Sequence, residues 1–564
     1  MAALPEVRLA LVVMSDPIHA VLSAPDDDAV RLEHAGRLVR AGDPRGRFIQ
    51  LQCEVARLSD DDSRRASVEA SLARVPVLPE WSLGLTEAGL KMPSLRPSEP
   101  WQFKPPWTFC RGYVEHLFVD ADALVNIGAE LARAYPIRSL AIPGLKTGNA
   151  AELAGQSWLS QIVSLSTTGS AAAVTKLLAS PHLTGLKRLR LSTTAASLPK
   201  VFALPALHTL RALDLDVPDD RRAAALALAD GGPLALEELT FGSTPNGWGS
   251  ATGQRTTRST PAGDAIAVLL ESPRMANVRK LRLHETGDAR FADALGELGH
   301  LEDLHVSSLE DHEVAMLAVL PCSRRLRRLS LDAVGPAAIR AFSGVELPRL
   351  THLVLENRLG SVKANVLPSW FSALRAPALR SLHLPECPIE REFVRALVAI
   401  DAPNLVELEI SGTSVDARAL EALAGSPLMQ RLLTFSCSGG AESQASDRVH
   451  ALLRTPLPRL QRLAIGDAPR GDQADEAIAL LARSSLPELR HLGFSYAGNI
   501  PSFGSPGARA LLASSVGELA ILYVNPTGVS TALRRELEIR FAIHPGASWS
   551  SDRLPFVARG VMEA

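Results

Sequence analysis

At 564 residues the chain is longer than one hydrophobic core can serve, so it requires several domains or a repeated architecture. A formal charge of −2, from 59 basic and 61 acidic residues, excludes a global attraction to nucleic acid or anionic lipid. Five cysteines, Cys53, Cys110, Cys322, Cys387 and Cys437, are odd in number, widely separated and without paired metal-type spacing. They predict reduced, mostly buried thiols and a cytosol-like compartment.

The first thirteen residues hold an apolar patch broken by Glu6 and Arg8 and too short to span a bilayer. No export signal is read there, and Met14 reads as the start. Residues 14–75 read as a small all-α domain. Asp26, Asp27 and Asp28 after Pro25 put acids at a helix N-terminus, and Val30, Leu32, Leu38 and Val39 can share an inward face. Gly42 suits a left-handed C-terminal cap, Asp43 an N-cap and Pro44 the first turn of the next helix, which carries Phe48, Ile49, Leu51, Val55 and Leu58. Asp60-Asp61-Asp62 opens a third helix with Val68 and Leu72 turned inward in the same domain.

The stretch from Leu22 to Leu58, above all Gly42-Asp43-Pro44-Arg45-Gly46-Arg47-Phe48-Ile49-Gln50-Leu51-Gln52, resembles the bacterial repeat-companion domain. Cys110-Arg111-Gly112-Tyr113-Val114-Glu115 is similar to the junction by which such modules enter their first repeat. The resemblance covers about the first fifth of the chain and implies leucine-rich repeats behind the module and no activity to carry over. Where that family has a Tyr-Ala-Asp-Trp core, this chain has Glu33-His34-Ala35-Gly36, which predicts looser packing of that helix. Residues 76–112 are rich in proline and tryptophan. Trp81, Trp101, Phe103 and Trp107 are expected to seal the open end of the first repeat.

From residue 113 to 524 one pattern recurs, with apolar residues at positions one, four and six of a hexamer. Its clearest copy is Leu326-Arg327-Arg328-Leu329-Ser330-Leu331. In the same frame stand Leu186-Leu189-Leu191, Leu210-Leu213-Leu215, Leu301-Leu304-Val306, Leu379-Leu382-Leu384 and, near the end, Val516-Leu519-Ile521. A period of about 23 to 30 residues, with alanine- and leucine-rich helical stretches between, is that of a leucine-rich repeat. The fold class expected is therefore α/β: a leucine-rich repeat solenoid with parallel strands on the concave face and helices on the convex face, after a small all-α domain. The interval Leu236 to Val278 is too long for one unit and implies an inserted loop over 243–262, carrying Trp248. The interval Leu405 to Leu460 fits two units, the degenerate one near Leu433 and Phe435. Residues 525–564 read as a C-terminal cap built on a helix over Thr531–Glu538, with Phe541, Ile543 and Phe556 covering the last repeat.

Alternation turns positions three, five and seven outward. Position three runs through Arg188, Ala212, Glu238, Lys280, Asp303, Arg328, His352, Ser381, Glu407, Arg462, His491 and Glu518, with signs that alternate between neighbouring strands as in a cross-strand charge ladder. Histidines gather there too, yet His312-Glu313 and His284-Glu285 lack the second histidine of a zinc-protease motif. Gly144-Leu145-Lys146-Thr147 lacks the first glycine of a phosphate loop. No nucleophile has a partner histidine at motif spacing. The reading is thus a non-catalytic, cytoplasmic protein–protein interaction scaffold with no cofactor, no metal, no nucleic acid and no membrane partner. Its partner protein would meet Arg282, His305, Arg328, His352, His383 and Glu409 on the concave face, and Trp248 on the loop. The alternative is a regulatory or structural docking protein working through the N-terminal module, with the repeats as scaffold.

Overall fold

The computed structural model describes residues 16–543 apart from 60–61, 78–80, 82–84, 86–106, 243–263, 285–289, 308–310, 333–339, 357–370, 372, 385–389, 412–415, 439–444, 467–471, 496–501, 515, 517–520 and 524. Cys387, Trp101, Phe103, Trp248 with its loop, Phe556 and the segment before Met14 lie outside the described residues. Two compact units result: one takes in residues up to Leu58 and Val75–Val278, the other Ser59–Arg74 and Arg279–Leu554.

The first unit begins with helices α1 (Asp16–Ser23), α2 (Asp28–Arg40) and α3 (Pro44–Arg57). Their punctuation follows the sequence. The Asp27 carboxylate accepts from the Ala29 amide and the Asp43 carboxylate from the Arg45 amide, each at 2.8 Å. Gly42 ends α2 at φ +77°, a left-handed conformation that only glycine adopts without strain. Gly46 permits α3 to cross α2 closely, since a Cβ there would lie 2.6 Å from the Ala35 carbonyl oxygen. These helices close a core of Ile18, Val21, Ala35, Ile49, Cys53 and Tyr113. The buried residues of α2 are Arg31 and Ala35, and the His34 ring stacks on Tyr113.

A hairpin follows, β1 (Trp107–Cys110) antiparallel to β2 (Tyr113–Phe118). Trp81 packs its ring on Phe48 and Phe109, with centroids 5.2 and 6.5 Å away. From β2 the sheet is parallel through β3 (Ser139–Leu145), β4 (Ser164–Gly169), β5 (Arg188–Ser192), β6 (Ala212–Asp216) and β7 (Glu238–Phe241).

In the second unit the parallel sheet runs in order through β8 (Lys280–Leu283), β9 (Asp303–Val306), β10 (Arg328–Asp332), β11 (His352–Glu356), β12 (Ser381–Leu384), β13 (Glu407–Ser411), β14 (Thr434–Ser438), β15 (Arg462–Gly466) and β16 (His491–Ser495). A short parallel pair, β17 (Ser502–Gly504) with β19 (Asn525–Gly528), stands apart. The main sheet ends at β18 (Ile521–Tyr523) and β20 (Ala542–Ile543). The degenerate unit is β14, so the interval Leu405 to Leu460 does hold two repeats.

Consecutive repeats align position for position, and their fourth- and sixth-position side chains are buried, as with Leu329 and Leu331 or Leu408 and Ile410. The helices between strands pack beside one another, Thr147–Ala154 against Ala171–Leu178 and Ala445–Leu453 against Asp472–Arg483. Register is locked by the backbone: the Arg327 carbonyl accepts from the Thr351 and His352 amides, and the Arg380 carbonyl from those of Val406 and Glu407. This is a leucine-rich repeat solenoid, read from the repeat and its parallel register. Among the described residues, no helix is long and apolar enough to cross a membrane.

Two expectations are corrected. The last hexamer was expected at Val516-Leu519-Ile521, with Glu518 facing outward, but β18 pairs Ile521 with His491 and Leu522 with Leu492. Ile521 therefore takes the outward third position, and it is buried there. The third N-terminal helix, α4 (Arg65–Ala73), belongs with the second unit and not with α1–α3. Val68 and Leu72 are buried, and Ala70 of this helix packs with Ile521, with Ala73 and Ala542 beside them.

Candidate functional site

Outward positions on the second unit form two registered rows. The third-position row begins Lys280, Asp303, Arg328, His352, Ser381, Glu407. The fifth-position row begins Arg282, His305, Ser330, Val354, His383, Glu409. Of the residues singled out from sequence, Arg328 and His352 are register neighbours in the first row. Arg282 and His305 are neighbours in the second, as are His383 and Glu409.

The histidines are joined by hydroxyl groups. His305 Nδ1 lies 2.8 Å from Ser330 Oγ and its Nε2 3.2 Å from Ser307 Oγ. Ser307 Oγ lies 3.4 Å from His284 Nδ1, and the two imidazole rings are tilted at a centroid distance of 5.5 Å. His352 Nδ1 meets the Thr351 hydroxyl at 2.9 Å.

Farther along, His383 sits between two carboxylates, Nε2 3.5 Å from Glu407 Oε1 and Nδ1 3.8 Å from Glu409 Oε2. Its Nε2 also meets Ser381 Oγ at 2.9 Å. Burial pushes the Glu407 carboxyl up, but the His383 hydrogen bond and charge, the Ser381 hydroxyl and Arg462 outweigh it and bring the group down to about 2. Sequence reasoning placed Glu407 and Ser381 on the outward row without seeing them as partners of His383. The signal available was their adjacency in frame.

The rows then pass under α4. Six of its nine residues are buried: Arg65, Ala66, Val68, Glu69, Ala70 and Leu72. Glu69 takes the Arg65 guanidinium at 2.9 Å and, from the third-position row, Arg462 at 2.6 Å and the His491 ring at 3.5 Å. His491 Nε2 also lies 3.3 Å from the Ala66 carbonyl oxygen. Both of these neighbours are acceptors, so Nε2 carries the hydrogen. Burial pushes the Glu69 carboxyl up, but the charges of Arg462, His491 and Arg65 outweigh it and hold the group below the usual carboxylate range. The fifth-position residues here are small, Ser436, Ala464 and Gly493. Ala464 and Gly493 are buried. Sequence reasoning missed Glu69, whose visible signal was its four-residue spacing from Arg65 in a helix of small residues.

The first unit treats its outward rows differently. Arg190 pairs with Asp214 on the next strand at 3.2 Å, and Arg188 reaches past Ala212 to Glu238 at 3.1 Å. This part of the face is a charge ladder of the expected kind.

Among the described residues, no group of three metal-ligating side chains stands close enough to hold an ion. Burial pushes the Cys53 thiol up to about 11 and the Cys110 thiol up to about 12, which keeps both protonated.

No family model matches the chain, and no curated protein does. Solved structures do. Rad7 in the yeast Rad7–Elc1 complex is 15% identical over 62% of this chain and 84% of its own, with a TM-score of 0.35. LegL7, a leucine-rich repeat-containing protein of Legionella pneumophila, is 14% identical over 56% of this chain and 90% of its own, with a TM-score of 0.29. Identities this low, at such TM-scores, leave the fold assignment to the repeats and strand register of the chain itself.

Proposed function

We propose that the chain is a non-catalytic interaction scaffold that receives a protein partner on the outward rows of β8–β13, with Arg282, His305, Arg328, His352, His383 and Glu409 as the recognition mosaic. The observation that carries this reading is the register, which sets polar groups of both signs in two parallel rows on a rigid sheet. Interleaved acids such as Asp303, Glu407 and Glu409 suit a protein surface better than a polyanion, which calls for one sign throughout and stacking aromatics. Buried thiols at Cys53, Cys110, Cys322 and Cys437 support a reducing, cytoplasmic setting. Trp248 remains a proposed second contact.

The alternative, docking through the N-terminal module, is weakened by how α2 is spent. Arg31 is fully buried and its guanidinium holds Glu115 of β2 at 2.7 Å, so this helix serves as a cap on the first repeat. Affinity capture from lysate with the full chain and with Arg328→Glu/Glu409→Arg tests the proposal. A protein recovered by the first and lost from the second supports it. Equal recovery by both rejects the strand face as the site.

A further inference from the structure

The helix α4 sets one side, with Glu69 and Ala70, on the strand face, and Val68 and Leu72 on its other side are buried as well. It is nine residues long, below the length at which an isolated helix persists in water, so its helicity and its docking are one event. Its N-cap residue, Arg64, makes no side-chain capping bond, and its docking stripe consists of Ala66, Glu69, Ala70 and Ala73 at helical spacing. The receiving surface is shaped for that stripe. Ala464 and Gly493 leave room for a helix backbone, Ile521 meets Ala70, and two bases, Arg462 and His491, converge on one carboxylate from below. An outward arginine and histidine with a buried isoleucine beside them make no sense on a solvated sheet; they make a socket.

We infer that the face of β15, β16 and β18 is a recognition site for a short helix that carries one carboxylate flanked by alanine-sized residues, and that α4 is its built-in, displaceable occupant. The mode is a helix laid on a complementary surface, with the carboxylate fixing register and the small residues setting depth. A partner helix of the same chemistry takes the socket by competing with α4, and α4 thereby sets the affinity threshold for anything that binds there. The inference extends the reading of the strand face as a protein-binding surface, but its test uses a peptide of this chain in place of the unidentified partner, so either can fail without the other.

The probe is a fluorescein-labelled synthetic peptide of residues 59–75, titrated by anisotropy against three full-length chains. These are the unaltered chain, one with α4 loosened by Glu69→Lys, and a second loosened chain, Val68→Ala/Leu72→Ala, which keeps the carboxylate. The peptide is expected to bind a loosened chain at least tenfold more tightly than the unaltered one, whose socket is filled. A peptide carrying Glu69→Gln should lose at least tenfold on the same chain. Adding Arg462→Glu to a loosened chain should abolish binding of the unaltered peptide and admit one carrying Glu69→Arg. The second loosened chain keeps the test decisive if the first does not fold. Equal binding to loosened and unaltered chains, or no binding to a loosened chain whose circular dichroism melt matches the unaltered protein, overturns the inference.

Discussion

Two buried glutamates hold helices against strands in this molecule, and they do so on unequal terms. In the first unit Glu115 of β2 lies between Arg31 of α2 at 2.7 Å and Arg111 at 3.1 Å, and Arg111 and Arg138 reach on to Asp28 and Asp26. An apolar core of Ile18, Val21, Ala35, Ile49, Cys53 and Tyr113 stands behind this network. In the second unit Glu69 of α4 has Arg65, Arg462 and His491, on a helix of only nine residues whose Ala70 meets Ile521, with Val68 and Leu72 also buried. A buried ion pair gains little net stability because desolvation offsets its attraction. Apolar area therefore decides how firmly each helix is held. The first arrangement is a cap and the second a clasp.

Removing each glutamate should expose the contrast. Glu115→Leu strands Arg31 in a core the helix cannot leave, and the cost should be about 3–5 kcal/mol, read as a drop in the global urea or thermal midpoint. Gly112→Ala comes next. Gly112 sits at φ +88°, and a Cβ there would lie 2.2 Å from Ile49 Cγ1. Strain and overpacking together should cost about 2–4 kcal/mol by the same measurement. Glu69→Leu should move the global midpoint less than either, because α4 can undock and return Arg462 to water. Its signature is local: amides of residues 65–73 should exchange at rates near those of a free peptide.

Acid sharpens the comparison on the open rows. Glu407 is held at about 2 in the folded chain against an ordinary 4.5, so its contribution is fully present above the ordinary value and is lost as pH falls from there toward 2. Glu407→Gln should flatten the stability profile of the second unit across that window and lower neutral-pH stability by about as much as the unaltered chain loses on acidification through it. An unchanged profile would deny His383 its role as partner. The smallest effect belongs to the exposed ladder of the first unit, where Arg190→Ala should shift the midpoint by no more than about 1 kcal/mol.

The repeat frame was legible because its signal is redundant: a dozen hexamers in one register outvote any irregular copy, and Gly42, Asp43 and Pro44 each have one conformational use. Arg111-Gly112-Tyr113-Val114-Glu115 was legible as a junction, and its geometry explains each residue. Gly112 supplies a positive φ against Ile49, Tyr113 fills the core and Glu115 answers two arginines. What failed had a common origin. Reading β18 three residues early, with Glu518 outward, followed the pattern of apolar residues at positions one, four and six, which cannot report that an outward Ile521 is covered by α4. Placing Val68 and Leu72 with α1–α3 assumed that helices adjacent in sequence share a core. Both errors concern the contact of Glu69 with Arg462 and His491, residues about four hundred positions apart, which local periodicity cannot report.

The most direct test of this account is native-state hydrogen exchange on the unaltered chain, comparing amides of α3 with those of α4 in one sample. The account predicts that Ile49 and Leu51 exchange only through global unfolding, whereas Val68 to Leu72 open locally and exchange at least tenfold faster. Equal protection of the two helices would contradict it, making α4 a fixed part of the fold and closing the surface beneath it to any partner.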